Sequence, residues 1–216
     1  FSGVFWEAQD VMLEDVERIE VISGPGGTLW GANAVNGVIN VITRSAAQTQ
    51  GTLAAAGAGN EEAIGSVRHG GRLDNGGHYR VYARTLRREN SSRLDGSSIA
   101  DGSDRLQAGF RTDWSSRSDG YTLQGDVYGV RKEADQRLEG ANLIARWNRA
   151  LGGGDSLRAQ AYYDRTRREG QELDTLDLEA AHGFSLGAHR LLWGGGLRHH
   201  SDRINNPPNL AFLPAD

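Results

Sequence analysis

Val16-Glu-Arg-Ile-Glu-Val-Ile-Ser-Gly-Pro-Gly-Gly-Thr-Leu-Trp-Gly-Ala-Asn-Ala-Val-Asn-Gly-Val-Ile-Asn-Val-Ile-Thr-Arg44 is the stretch on which the architecture of this chain turns. Its first part, Val16–Ile22, predicts a strand, with β-branched Ile19 and Val21 set among the charged Glu17, Arg18 and Glu20. Gly24-Pro25 supplies a sharp exit, because proline fixes φ while glycine reaches backbone angles closed to other residues. Glycines 26, 27, 31 and 37 let backbone pass close to backbone in a confined space. Val38, Ile39, Val41 and Ile42 are β-branched again and predict a second strand suited to burial. The glycine-rich centre has neither the dinucleotide-binding spacing nor a following Gly-Lys-Ser/Thr, so it reads as a structural turn and not a phosphate cradle.

Downstream, the run 46–60 is small and apolar, and from about residue 62 the chain alternates with a period of two. Leu106, Ala108, Phe110, Thr112 and Trp114 share one face, with Gln107, Arg111 and Asp113 on the other. Tyr121, Leu123, Gly125 and Val127 repeat the arrangement, as do Ala141 to Trp147, Leu157 to Tyr163 and Leu176 to Ala180. Leu191, Trp193 and Leu197 end the series. Trp114, Tyr121, Trp147, Tyr163 and Phe184 stand near strand ends, where a membrane barrel places its aromatic girdles. Turns are expected at 73–77, 115–120, 151–156 and 185–189. Mostly longer, polar connections are expected between them, notably Arg88 to Asp104, with a very short first hairpin at Asn60-Glu61. Periodicity alone also fits a soluble up-and-down barrel or sandwich.

Composition narrows the classes. The 216 residues carry 24 Lys and Arg against 28 Asp and Glu, and this mild acidity argues against nucleic acid, which needs clustered cations. There are no cysteines, which excludes disulfides and thiolate metal sites. No apolar run reaches the ~18–20 residues of a membrane helix, but a barrel strand shows lipid only alternate side chains, so low hydropathy is compatible with a membrane. The N-terminal Phe1-Ser-Gly-Val-Phe-Trp6 has neither the positive region nor the cleavage site of a signal peptide, and the run from Ile204 to Asp216 reads as an outer loop cut short. Both ends suggest a piece of a longer protein.

The stretch 16–44 resembles the C-terminal signature of the plug domain of TonB-dependent outer-membrane transporters. There an "ERIEV" strand leads to a Gly-Pro turn, an aromatic-Gly pair and a Gly-Val-Ile-Asn strand that enters the barrel; the counterparts are Val16–Ile22, Gly24-Pro25, Trp30-Gly31 and Gly37–Thr43. The resemblance implies a mainly all-β chain: residues 1–45 the end of a plug, residues 46–216 the first strands of an antiparallel up-and-down transmembrane barrel. About nine strands fall between Gly51 and Arg203, of about 22 in a barrel with a plugged lumen. The implied function is energy-coupled uptake of a scarce nutrient, a ferric siderophore or similar metal complex, across the bacterial outer membrane. Its implied partners are that ligand, the membrane lipids and a TonB-type protein acting through an N-terminal box that these residues lack. No cofactor and no catalytic residue is required. Many family members carry Arg immediately before the Gly-Pro, in a charge cluster between plug and barrel wall; Ser23 stands there here, which moves that role towards Arg18 or Arg44. Glu17, Arg18, Glu20 and Arg44 are therefore the expected plug–wall ionic contacts, and Gly24, Pro25, Gly31 and Gly37 the expected turn and close-packing positions.

Other constellations read as structure. His199 and His200 are adjacent, so on a strand they point to opposite faces and cannot readily share a metal. Charged strand residues such as Arg146, Arg158, Asp177 and Glu179 suit a wet inner face and need no acid–base role. The rival classes are a non-transport membrane barrel (adhesin, porin or structural protein) and a soluble β-rich binding module. An open nine-stranded sheet leaves unpaired edges that lipid does not tolerate, so these residues alone are expected neither to insert stably nor to transport.

Overall fold

The computed structural model describes residues 10–25, 34–132 and 136–205; Trp30 and Gly31 of the turn, the start of the chain and the run from 206 lie outside the described residues. A short 3-10 turn, Leu13–Asp15, leads into β1 (Val16–Ser23), which pairs antiparallel with β2 (Gly37–Thr43) from Val16↔Thr43 to Ser23↔Gly37. Gly24 has φ 95°, in the region that favours glycine, and its N–H donates to the carbonyl of Asn36 at 3.0 Å. A Cβ on Gly37 would stand 2.6 Å from the carbonyl oxygen of Ile22, so only glycine closes this hairpin without shifting backbone. Pro25 follows, exposed.

A second 3-10 turn, Ala46–Gln48, delivers the chain to a nine-stranded sheet. Its strands are β3 (Gly51–Ala58), β4 (Glu62–Arg72), β5 (His78–Arg88), β6 (Ser103–Ser115), β7 (Asp119–Lys132), β8 (Arg137–Gly152), β9 (Asp155–Arg168), β10 (Gln171–Leu186) and β11 (His189–Ile204). Each is antiparallel to its neighbour in sequence, so chain order is sheet order, an up-and-down meander with β3 and β11 at its edges. Register carries one outward row through Trp114, Tyr121, Trp147, Ala159, Ala180 and Gly195.

Burial is inside out relative to a water-soluble domain. Leu106 is 64% exposed and Leu197 67%, with Val127, Leu143, Leu176, Leu178 and Trp193 also open, whereas Arg68, Arg80, Arg84, Arg105 and Gln107 are buried. Apolar side chains form the outward band and polar ones the inner face. Burying apolar surface drives folding in water, so such a band is stable only where hydrocarbon replaces water. From Leu106 to Trp114 the band rises about 26 Å along the strand.

The connections differ from expectation at one end. Turns at 73–77, 116–118, 153–154 and 187–188 fall where the sequence placed them. At the opposite end, among the described residues, 89–102 is long, whereas 59–61 and 169–170 are short. The polar residues that read as loops are strand: Leu138↔Arg168, Glu139↔Arg167 and Glu172↔Arg167 stay paired past the apolar band. The backbone ladder continues after the side chains change from apolar to charged, because ladder hydrogen bonds do not depend on side-chain polarity.

Candidate functional site

The inner face of β4, β5 and β6 holds the densest cluster of buried charge. On β5, Arg80 and Arg84 are four residues apart and point the same way, and Tyr82 lies between them. Arg68 on β4 and Arg105 with Gln107 on β6 extend the patch, since Arg84 is opposite Gln107 and Arg80 opposite Arg111. The segment before β1 lies against these side chains with two carboxylates. Asp15, 2% exposed, accepts from Arg68 Nη1 and lies 3.4 Å from Arg80 Nε. Asp10 pairs with Arg84 at 2.7 Å and with Arg105 at 3.6 Å. Backbone carbonyls add to the grip: Arg84 donates to Val11, Gln107 to Asp10 at 3.3 Å, and Arg80 to Arg44 at 2.7 Å. Met12, between the two acids in sequence, is almost fully buried.

A second set of contacts lies where the chain crosses into the sheet. Asp113 Oδ2 accepts from the Ala46 N–H at 2.6 Å and from Arg111 Nε at 2.8 Å, and its Oδ1 accepts from Thr122 at 2.7 Å. Arg111 also donates to Thr43 Oγ1 at 3.2 Å, tying the end of β2 to the wall. Tyr82 donates to Asp126 and accepts from Gln107 at 2.8 Å, so the wall braces itself beneath the clamp. Buried ionic groups are strongly destabilising when one partner is lost, so this network specifies a single seating of the N-terminal segment.

The residues singled out in sequence sit elsewhere. Arg18 bonds Glu20 at 2.8 Å and Glu17 at 3.1 Å, all three on β1, with Glu17 and Arg18 exposed and Glu20 half-buried. Glu20 also accepts from Asn40 across the hairpin at 3.0 Å, and these bonds, with Arg18 first, hold its carboxyl below the usual range. Arg44 reaches the carbonyl of Glu14 at 3.1 Å, while its own carbonyl is the group that meets the wall. Charge is distributed opposite to the expectation raised by Ser23: the N-terminal segment brings acids and the wall brings arginines. Asp10 and Asp15 were missed because an isolated aspartate carries no pattern. The wall side left a signal in the same-face spacing of Arg80 and Arg84 beside Arg68 and Arg105 on neighbouring strands.

His199 faces outward with Leu197, and His200 faces inward, where its Nδ1 is 2.9 Å from Thr175 Oγ1. Among the described residues no group of three or more His, Asp and Glu stands close enough to hold a metal.

The fold that carries these features has a counterpart among solved proteins. The siderophore receptor PirA from Pseudomonas aeruginosa superposes with a TM-score of 0.65 at 21% identity, over 92% of this chain and 38% of that one. The chain carries part of the TonB-dependent outer-membrane receptor architecture. Sequence agrees: a vitamin B12 transporter BtuB of Vibrio vulnificus is 52% identical over 46 residues, and an iron-regulated outer membrane virulence protein of Vibrio cholerae is 62% identical over 32. The matched stretches cover 21% and 15% of this chain but only 8% and 5% of those proteins, so the similarity spans a small part of their length. No protein-family model matches the chain. The chain's place is the bacterial outer membrane, and its exposed outward band of leucine, valine and aromatic side chains suits a lipid-facing surface.

Proposed function

We propose that this chain supplies the end of the plug, up to residue 45, and the first wall strands of an energy-coupled importer. The cargo is a metal complex too large for passive pores, a ferric siderophore or a corrinoid, taken up with energy delivered by a TonB-type protein. One observation carries the reading: the segment before β1 is clamped, acid to arginine, to the inner face of a sheet whose outer face is apolar. An adhesin or passive porin needs no such clamp, and a soluble module does not expose a leucine band. The relatives named for vitamin B12 and siderophores support a metal-complex cargo. The nine strands end in the open edges β3 and β11, so transport belongs to the complete receptor and not to these residues alone.

The test is growth. The complete gene, placed in a strain lacking its own siderophore and vitamin B12 receptors, should restore growth on one such complex only while the energy-coupling protein is present. Growth on neither class, or growth indifferent to the coupling protein, would overturn the proposal.

A further inference from the structure

The clamp is asymmetric in where its charges sit. Arg68, Arg80, Arg84 and Arg105 belong to three adjacent wall strands, while the carboxylates they meet, Asp10 and Asp15, belong to the N-terminal segment. The wall's own nearby carboxylates are engaged elsewhere, Asp113 with Arg111 and Asp126 with Tyr82. Arg68 and Arg84 are at most 9% exposed, and the Nε of each is buried without a hydrogen-bond partner, so both retain unused donor capacity. Guanidinium groups do not lose their charge at any working pH and present forked donors that match carboxylate and phosphate oxygens.

We propose that this arginine tetrad is a concealed anion site: when the Asp10–Asp15 segment leaves the wall, the guanidiniums take up anionic groups of the cargo, carboxylates or similar oxyanions on the chelate. The plug segment then acts as a resident surrogate for the cargo. Asp10 and Asp15 hold the positions that cargo oxygens occupy next, and arginines spaced along β5, β4 and β6 give a charged chelate successive holds along one side of the lumen. This rests on the reading of the chain as plug and wall of an importer. It adds that the cargo is anionic and that its track runs along β4–β6.

The experiment uses the complete receptor in planar lipid bilayers, with KCl at different concentrations on the two sides and the reversal potential as readout. The double variant Asp10→Asn/Asp15→Asn loosens the segment and leaves the arginines; its pores should be anion-selective. Adding Arg68→Gln, Arg80→Gln, Arg84→Gln and Arg105→Gln, which frees the site of its arginines, should abolish that selectivity, and Arg→Lys at the same four positions should restore it. Citrate on one side should block the first pore at lower concentration than the arginine-free one. Equal selectivity of the double variant and the arginine-free variant, with both showing the heat-dependent gel mobility of a folded barrel, would overturn the proposal. So would selectivity for cations in the double variant. Neither readout needs the coupling protein or a known nutrient, so failure here is separate from failure of the growth test.

Discussion

The inner faces of β4–β6 and of β9–β11 are written in the same alternating code yet end in opposite states. On β4–β6 the four inward arginines of the clamp, Arg68, Arg80, Arg84 and Arg105, are buried to below a tenth of their surface, because the N-terminal segment lies on them. On β10 and β11, Asp177 is buried beneath Arg198, which reaches it at 2.6 Å, but Arg198 itself is about half open and β11 is exposed along almost its whole length. Alternation decides which way a side chain points. What lies against it decides whether its charge is a desolvated group that needs a partner or a solvated one.

The largest expected effect breaks that difference directly. Asp15→Asn leaves Arg68 and Arg80 without a facing carboxylate in a buried setting, and should cost about 3–5 kcal/mol in the denaturant-measured seating of the N-terminal segment. Asp177→Asn removes a comparable pair whose cation reaches water, and should cost no more than about 1 kcal/mol. Equal costs would mean that burial by the N-terminal segment is not what separates the two regions. Next in size is an inversion of faces: Val127→Arg, in the outward band, should lower folding stability in vesicles by about 2–4 kcal/mol. Gln160→Arg, on the inner face of β9, should be close to neutral by the same measurement. The smallest effect concerns 89–102, outside both regions. Hydrogen bonds from Ser91 hold the Asp101 carboxyl below its ordinary value, and those from Ser97 do the same for Asp95. Because both folded values are depressed, their contribution to loop order is complete above the ordinary aspartate range and is lost as pH falls through the lower folded values. Amide exchange in this loop should therefore be unchanged down to about pH 5 and faster than intrinsic acid dependence predicts by about pH 2.5, while β4–β6 stay protected. Loss of protection already at about pH 5 would contradict the assignment of those bonds.

Much of this was legible from residues alone, and the part that was not has a physical reason. Leu106 to Trp114, Tyr121 to Val127 and Leu176 to Ala180 announce their faces because one side of each strand must be apolar over its whole crossing. The turns Leu73–Gly77 and Leu151–Ser156 announce themselves through glycine and asparagine. Arg165-Thr-Arg-Arg168 and Gln171-Glu-Leu-Asp174 read as loop because hydropathy reports the surroundings of a side chain and not the pairing of its backbone. Asp10 and Asp15 were illegible for a different reason: a salt bridge between positions 53 residues apart, as Asp15 and Arg68 are, has no local period. Charge-rich β1 drew attention instead, and its charges satisfy one another within the strand.

On the proposed uptake reading, the paired overhang of β7–β10 has a consequence for how a cargo arrives from outside. Past Tyr163 and Leu176 the sheet continues for five more residues on each strand, about 17 Å of rise, before the two-residue turn at 169–170. That part of the mouth is a stiff parapet of hydrogen-bonded backbone laced by Arg165–Glu172 and Arg167–Glu172 pairs. A bulky visitor meets a fixed height and a fixed contour there, and pays no entropy to order it. Among the described residues of this arc, the fourteen of 89–102 form the connection long enough to drape over the opening and adapt to what lands.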